Sequence, residues 1–131
     1  MGCGQSNPTL QLRVIEAKNV PKMDTAGKSD PFVKAGVIGL DDPKKTKYVS
    51  NTDTPTWNEV LTITYKDQTN DRLKIVLYDH DTVSEDDPIA TLEIPLSSID
   101  NEKGVDQWYK MEPCKEVKDD KGIKIHLSIH F

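Results

Sequence analysis

Apolar and polar residues alternate along most of this chain. In GIKIHLSIHF, Ile123, Ile125, Leu127 and Ile129 are separated by Lys124, His126, Ser128 and His130, the two-residue period of a strand with one face in a core and one in water. RLKIVLYD repeats the pattern with Leu73, Ile75 and Leu77. The same reading predicts eight strands, over residues 9–17, 31–37, 44–49, 57–65, 72–78, 88–95, 107–111 and 122–131. The pieces between them, among them VPKMDTAGKSDP, GLDDP, SNTDTP and KDQTN, are rich in Gly, Pro, Asp, Asn and Ser, which turns select. A short helical turn is expected over 97–102. Phe32, Trp57, Tyr65 and Trp108 read as core or strand-end packing residues. Eight short strands joined by turns predict an all-β antiparallel sandwich of two sheets over residues 9–131, preceded by a flexible tail, residues 1–8.

A chain of 131 residues suits one domain with one core. With 30% charged residues and a mean hydropathy of −0.61, it has no apolar run near the roughly 18 residues that span a bilayer. The N-terminus lacks the apolar segment of a secretory signal, and Cys3 and Cys114 make no disulfide framework, so a reducing, cytoplasmic setting is expected. A net charge of −5 and one compact basic cluster, Lys44, Lys45 and Lys47, argue against nucleic acid as a partner. No nucleophile elbow, catalytic triad or glycine-rich phosphate loop is present in the sequence, so no enzymatic activity is expected. A monomer is expected.

Acidic residues are concentrated in two turns. The turn after the first strand, KMDTAGKSDPF, carries Asp24 and Asp30; DHDTVSEDD, after the fifth, carries Asp79, Asp81 and Asp87 with Glu85 and Asp86 beside them. In an alternating sandwich these turns fall at one end, where facing carboxylates repel unless a cation lies between them. Oxygen ligands without His or Cys suit calcium, which accepts irregular loop-built cages. An EF-hand starting at Asp79 is excluded: its sixth position is Ser84 in place of glycine and its twelfth is Ala90 in place of glutamate.

From Leu10 to Phe131, the segments LQLRVIEAKNVPKMDTAGKSDPFVK, TPTWNEVLTI and LKIVLYDHDTVSEDDPIATLEIPL closely resemble the C2 domain, a calcium-dependent phospholipid-binding β-sandwich. The resemblance implies calcium ligands at Asp24, Asp30, Asp79, Asp81 and Asp87, for two or more ions. Auxiliary ligands would be the Ser84 hydroxyl and the backbone carbonyls of Met23 and His80. It also implies the type II strand order, in which the last strand takes the place that a preceding strand holds in the other order.

The implied function is calcium-dependent binding to anionic membranes on their cytoplasmic face, including the plasma membrane. Calcium would change the sign of the acidic pole. Phosphatidylserine is the expected lipid, met at the loop tips by Val83 and Lys28. The segment PKKTKYVSNTDTPTWNE resembles a lysine-rich strand that holds phosphoinositides in some members, which adds Lys45 and Lys47. At the N-terminus, MGCGQS fits the N-myristoylation pattern at Gly2, with Cys3 placed for palmitoylation. The alternatives are a calcium-independent protein-interaction scaffold and a lipid-anchored adaptor.

Overall fold

The computed structural model describes residues 7–23, 27–40, 42–114, 117 and 122–131. Among the described residues stand nine strands: β1 (Thr9–Lys18), β2 (Pro31–Val37), β3 (Lys44–Lys45), β4 (Thr56–Thr64), β5 (Arg72–Asp79), β6 (Asp87–Pro95), β7 (Val105–Lys110), β8 (Glu112–Pro113) and β9 (Lys124–His130). They form a four-stranded sheet, β4-β1-β9-β7, and a five-stranded sheet, β3-β2-β5-β6-β8. All pairings are antiparallel. The last strand lies beside the first, between β1 and β7, which is the type II arrangement. The helical turn is a single 3₁₀ turn, Leu96–Ser98.

The alternation does what it predicts. Leu10, Leu12 and Val14 of β1, Leu73, Ile75 and Leu77 of β5, and Ile125, Leu127 and Ile129 of β9 are all completely buried. They meet Val33, Ala35 and Val37 of β2 and Ile63 of β4 in one core between the sheets. Burial of this apolar surface is the main term holding the sandwich together.

Three expectations need correction. Eight strands become nine, because Glu112–Pro113 adds a two-residue strand to β6 that is too short to show a period. The strand expected over 44–49 is regular only at Lys44–Lys45. The buried Thr46 interrupts it: its Oγ1 accepts a hydrogen bond from the Val33 N–H at 3.0 Å and donates to the Lys47 carbonyl. A side chain thus takes a place in the ladder that a backbone carbonyl would fill. Trp108 is a surface residue, 37% exposed, because the two-residue period puts it on the outer face of β7 with Asp106 and Lys110. Trp57 and Phe32 are buried as expected, and the Trp57 indole donates to the Pro31 carbonyl at 3.1 Å.

Candidate functional site: the acidic loop end and its basic flank

Both acidic turns lie at one end of the sandwich, because β2 and β5 pair with Pro31 opposite Asp79. The end of β5 and the start of β2 are pinned twice. The Asp30 N–H donates to Asp79 Oδ1 at 2.8 Å, and the His80 N–H donates to the Asp30 carbonyl at 2.9 Å. Asp79 is buried, at 8% exposure.

Across β5 and β6 the register shifts: Leu77 faces Ala90, but Tyr78 faces Pro88 and Asp79 faces Asp87. Ile89 is the extra residue of a β-bulge, a feature that re-aims side chains at strand ends. Were Ile89 instead paired with Tyr78 in a regular ladder, Pro88, not Asp87, would stand opposite Asp79. The bulge residue is anchored, since its carbonyl accepts from the Cys114 N–H at 2.9 Å and its side chain is wholly buried.

A third loop joins the pole. Asn51, with φ of 52°, adopts the left-handed conformation that asparagine tolerates well. Its N–H donates to Asp30 Oδ1 at 2.6 Å, and its side-chain Oδ1 accepts from the Lys28 N–H at 2.9 Å. Gly27, at φ of +144°, packs against the same amide, and an added Cβ would stand 3.3 Å from it. Asn51 therefore clamps the first acidic loop from both sides of Ser29.

Asp81 is organised within its own loop. Its Oδ1 accepts from the Val83 and Ser84 N–H groups and its Oδ2 from the Ser84 hydroxyl, at 2.9, 3.3 and 2.8 Å. These hydrogen bonds, Val83 N–H first and then the Ser84 hydroxyl, hold its carboxyl below the ordinary aspartate range. Asp86 closes the loop from the other side, accepting from the Asp81 N–H at 2.9 Å and lying 3.2 Å from His80 Nδ1. Val83 projects from the tip, 92% exposed.

The structure thus joins Asp30 to Asp79 and sets Asp79 across from Asp87, while Asp81 turns inward on its own loop. Asp24, Gly2 and Cys3 lie outside the described residues. Among the described residues no three His, Cys, Asp or Glu side chains converge closely enough to hold a metal together. The chemistry of the donors nevertheless fits calcium: carboxylate and hydroxyl oxygens on strand ends and loops, each carboxylate oxygen able to accept more than one contact. Met23 packs partly buried against the core. Lys28 pairs with Asp53, Nζ to Oδ1 3.8 Å.

Lys45 and Lys47 border one open cavity of about 640 Å³ with Phe32, Thr46, Tyr48, Glu59, His80 and Asp86. His80 stacks on Tyr48, ring centres 4.3 Å apart, and stands edge-on to Phe32 at 6.2 Å. Its imidazole therefore links the wall of the basic cavity to Asp86 of the acidic loop. The parts played by Asn51 and Asp86 were not foreseen. Both act on backbone groups brought close by the fold, and only the left-handed tendency of Asn in SNTDTP hinted at the first.

The C2 domain family model matches residues 8–111. The chain belongs to the C2 domain family. This C2 domain is 37% identical over 129 residues to Synaptotagmin-1 of Aplysia californica, an alignment covering 93% of this chain and 30% of that protein. Among solved structures, the C2-A domain of plant Extended Synaptotagmin 1 superposes with a TM-score of 0.84 at 20% identity, over 97% of this chain and 95% of that one; this likeness is one of fold. A calcium-bound structure of Extended-Synaptotagmin 2, comprising its C2-A and C2-B domains, gives a TM-score of 0.74 at 26% identity, over 92% of this chain and 44% of that one.

Proposed function

We propose that this C2 domain binds anionic phospholipid membranes through its loop end, and that calcium held by Asp24, Asp30, Asp79, Asp81 and Asp87 switches the binding on. One observation carries the reading: acidic residues from two separate turns are drawn to one pole, with the Asp30 backbone N–H donating to the Asp79 carboxylate and Asp87 opposite Asp79. A pole of this kind repels an anionic surface until divalent cations reverse its sign. The Ser84 hydroxyl and the carbonyls of Met23 and His80 would complete the coordination. The calcium bound to Extended-Synaptotagmin 2 supports the same chemistry here.

The domain would act as a peripheral binding module on the cytoplasmic face of membranes, the plasma membrane included. Lys45 and Lys47, on the cavity shared with Tyr48 and His80, would receive phosphoinositide phosphates, and Lys28 and Val83 would meet phosphatidylserine at the loop tips. Acylation at Gly2 or Cys3 would add a second anchor, since a single myristoyl chain binds membranes only marginally. Intact mass after expression in a eukaryotic host tests that addition; an unmodified N-terminus removes it.

The deciding experiment is co-sedimentation of unlipidated protein with phosphatidylserine vesicles, in calcium and in chelator, beside an Asp79→Asn/Asp81→Asn variant. Calcium-dependent pelleting that the variant loses supports the switch. Equal pelleting in calcium and chelator overturns it and favours a calcium-independent scaffold.

A further inference from the structure

The outer face of the four-stranded sheet carries a row of lysines at the loop end. Lys18 is the last residue of β1, Lys124 the first of β9 and Lys110 the last of β7. The ladder sets Lys18 opposite Lys124 and Lys124 opposite Lys110, and all three are exposed. Neighbouring strands lie about 4.8 Å apart, so the three side chains leave one face of the sheet within about 10 Å. They are distant in sequence, and only the strand order brings them together.

Like charges set directly across a sheet oppose folding. Among the described residues, none of these lysines is in an ion pair. Lys18 instead holds its Nζ 4.4 Å from the centre of the half-exposed Trp108 ring. The carboxylates on the same face are turned elsewhere. Asp106 Oδ1 lies 2.6 Å from His126 Nε2, and Glu16 Oε2 lies 3.5 Å from His126 Nδ1. His126 stacks under Trp108 with ring centres 5.1 Å apart. The acids of this face are thus matched to a histidine, and the charge of the lysine row stays uncompensated among the described residues.

The row borders the acidic pole. Lys18 leads directly into the first acidic loop, which is tied back beside it where the Val20 N–H meets the Asp53 carbonyl and the Ser29 hydroxyl meets the Pro21 carbonyl. We propose that Lys18, Lys124 and Lys110, with Trp108 at their edge, form a second contact for an anionic phospholipid surface, on the sheet that does not contain Lys45. The proposal rests on the reading of the loop end as the membrane-facing pole. A bilayer meeting that pole with the domain tilted toward β7 would place phosphates against the lysines. The Trp108 ring would then lie at headgroup depth, where indoles are favoured.

Each lysine near an anionic surface contributes about fivefold in affinity. The test compares wild type, Lys110→Gln/Lys124→Gln and Asp79→Asn/Asp81→Asn by sedimentation with phosphatidylserine vesicles, in calcium and in chelator. The lysine variant, which removes two of the three, is expected to lose about 25-fold in partitioning. Its melting temperature should hold or rise, since the cross-strand repulsion is relieved, and calcium should still raise it as in wild type. A lysine variant that binds like wild type, while the aspartate variant fails, overturns this contact and leaves the calcium reading standing; the face would then serve a protein partner or water. Loss in the lysine variant with no difference between calcium and chelator keeps the lysine contact and overturns the calcium switch. No pelleting of wild type under any condition overturns both.

Discussion

The carboxylate of Asp79 accepts a hydrogen bond from the backbone N–H of Asp30 at 2.8 Å, so a proposed ion ligand is also a structural tie between the two acidic loops. Asp79→Asn keeps an acceptor oxygen at this place, whereas Asp79→Ala leaves the Asp30 N–H without it. Both should abolish any calcium-dependent rise in melting temperature. Urea denaturation should show Asp79→Ala less stable than Asp79→Asn by about 1–3 kcal/mol. Equal stabilities would mean that the tie contributes nothing.

Thr46 gives a second test, of the strand that carries the basic cavity. Thr46→Val preserves shape but removes the acceptor for the Val33 N–H and the donor to the Lys47 carbonyl. A cost of about 1–3 kcal/mol is expected for the stranded buried amide. Faster hydrogen exchange at Val33, measured by NMR, should accompany it, and unchanged exchange there would contradict the role given to the hydroxyl.

A pH dependence is expected at His126. The Asp106 carboxylate on its Nε2 raises its pKa above the ordinary histidine value, with Glu16 assisting and burial opposing. The folded pKa thus exceeds that of the unfolded chain, about 6.5. The stabilisation is fully present below the unfolded value and is lost as pH rises through the folded one. Lys18 and Lys124, nearby on the same face, oppose the charge without carrying the sign. NMR titration of the ring should place His126 above the ordinary histidine value, and Asp106→Asn should bring it back down. A titration indifferent to Asp106→Asn would refute the assignment.

Val83 is 92% exposed, yet one valine contributes at most about 1.5–3 kcal/mol even when fully transferred. Membrane affinity should therefore fall steeply with added salt, as screened surface charges require, and only modestly in Val83→Ala. Vesicle binding that ignores salt but disappears in Val83→Ala would reverse this weighting.

How much of this was legible beforehand differs from element to element. The long strands announce themselves, because Leu73, Ile75 and Leu77 or Ile123, Ile125, Leu127 and Ile129 leave no other periodicity to choose. Glu112–Pro113 is too brief to carry a pattern, and Thr46 interrupts a strand through a hydroxyl contact that composition does not reveal. At the site, the crowding of acids into two turns was legible, and the C2 resemblance singled out five aspartates, of which the structure ties Asp30 to Asp79 and sets Asp79 opposite Asp87. The hold of Asn51 on Asp30 was not legible, since it depends on backbone groups meeting across loops. The lysine row was invisible for the opposite reason: no local segment is basic there, and the charge appears only when β1, β9 and β7 lie side by side.

Ile89 stands outside the ladder that sets Asp79 against Asp87, as the unpaired residue of the bulge. Many side chains can fill a buried apolar position of that size with tolerable cost, so substitutions there should leave the facing of Asp79 and Asp87 intact. Removing the residue would close the ladder into Leu77 on Ala90, Tyr78 on Pro88 and Asp79 on Asp87, so the facing would survive while the buried Ile89 side chain and the carbonyl that holds Cys114 would be lost. At this point of the chain, a codon lost in frame would spare the pairing of the two aspartates and cost the anchor of the strand that carries one of them.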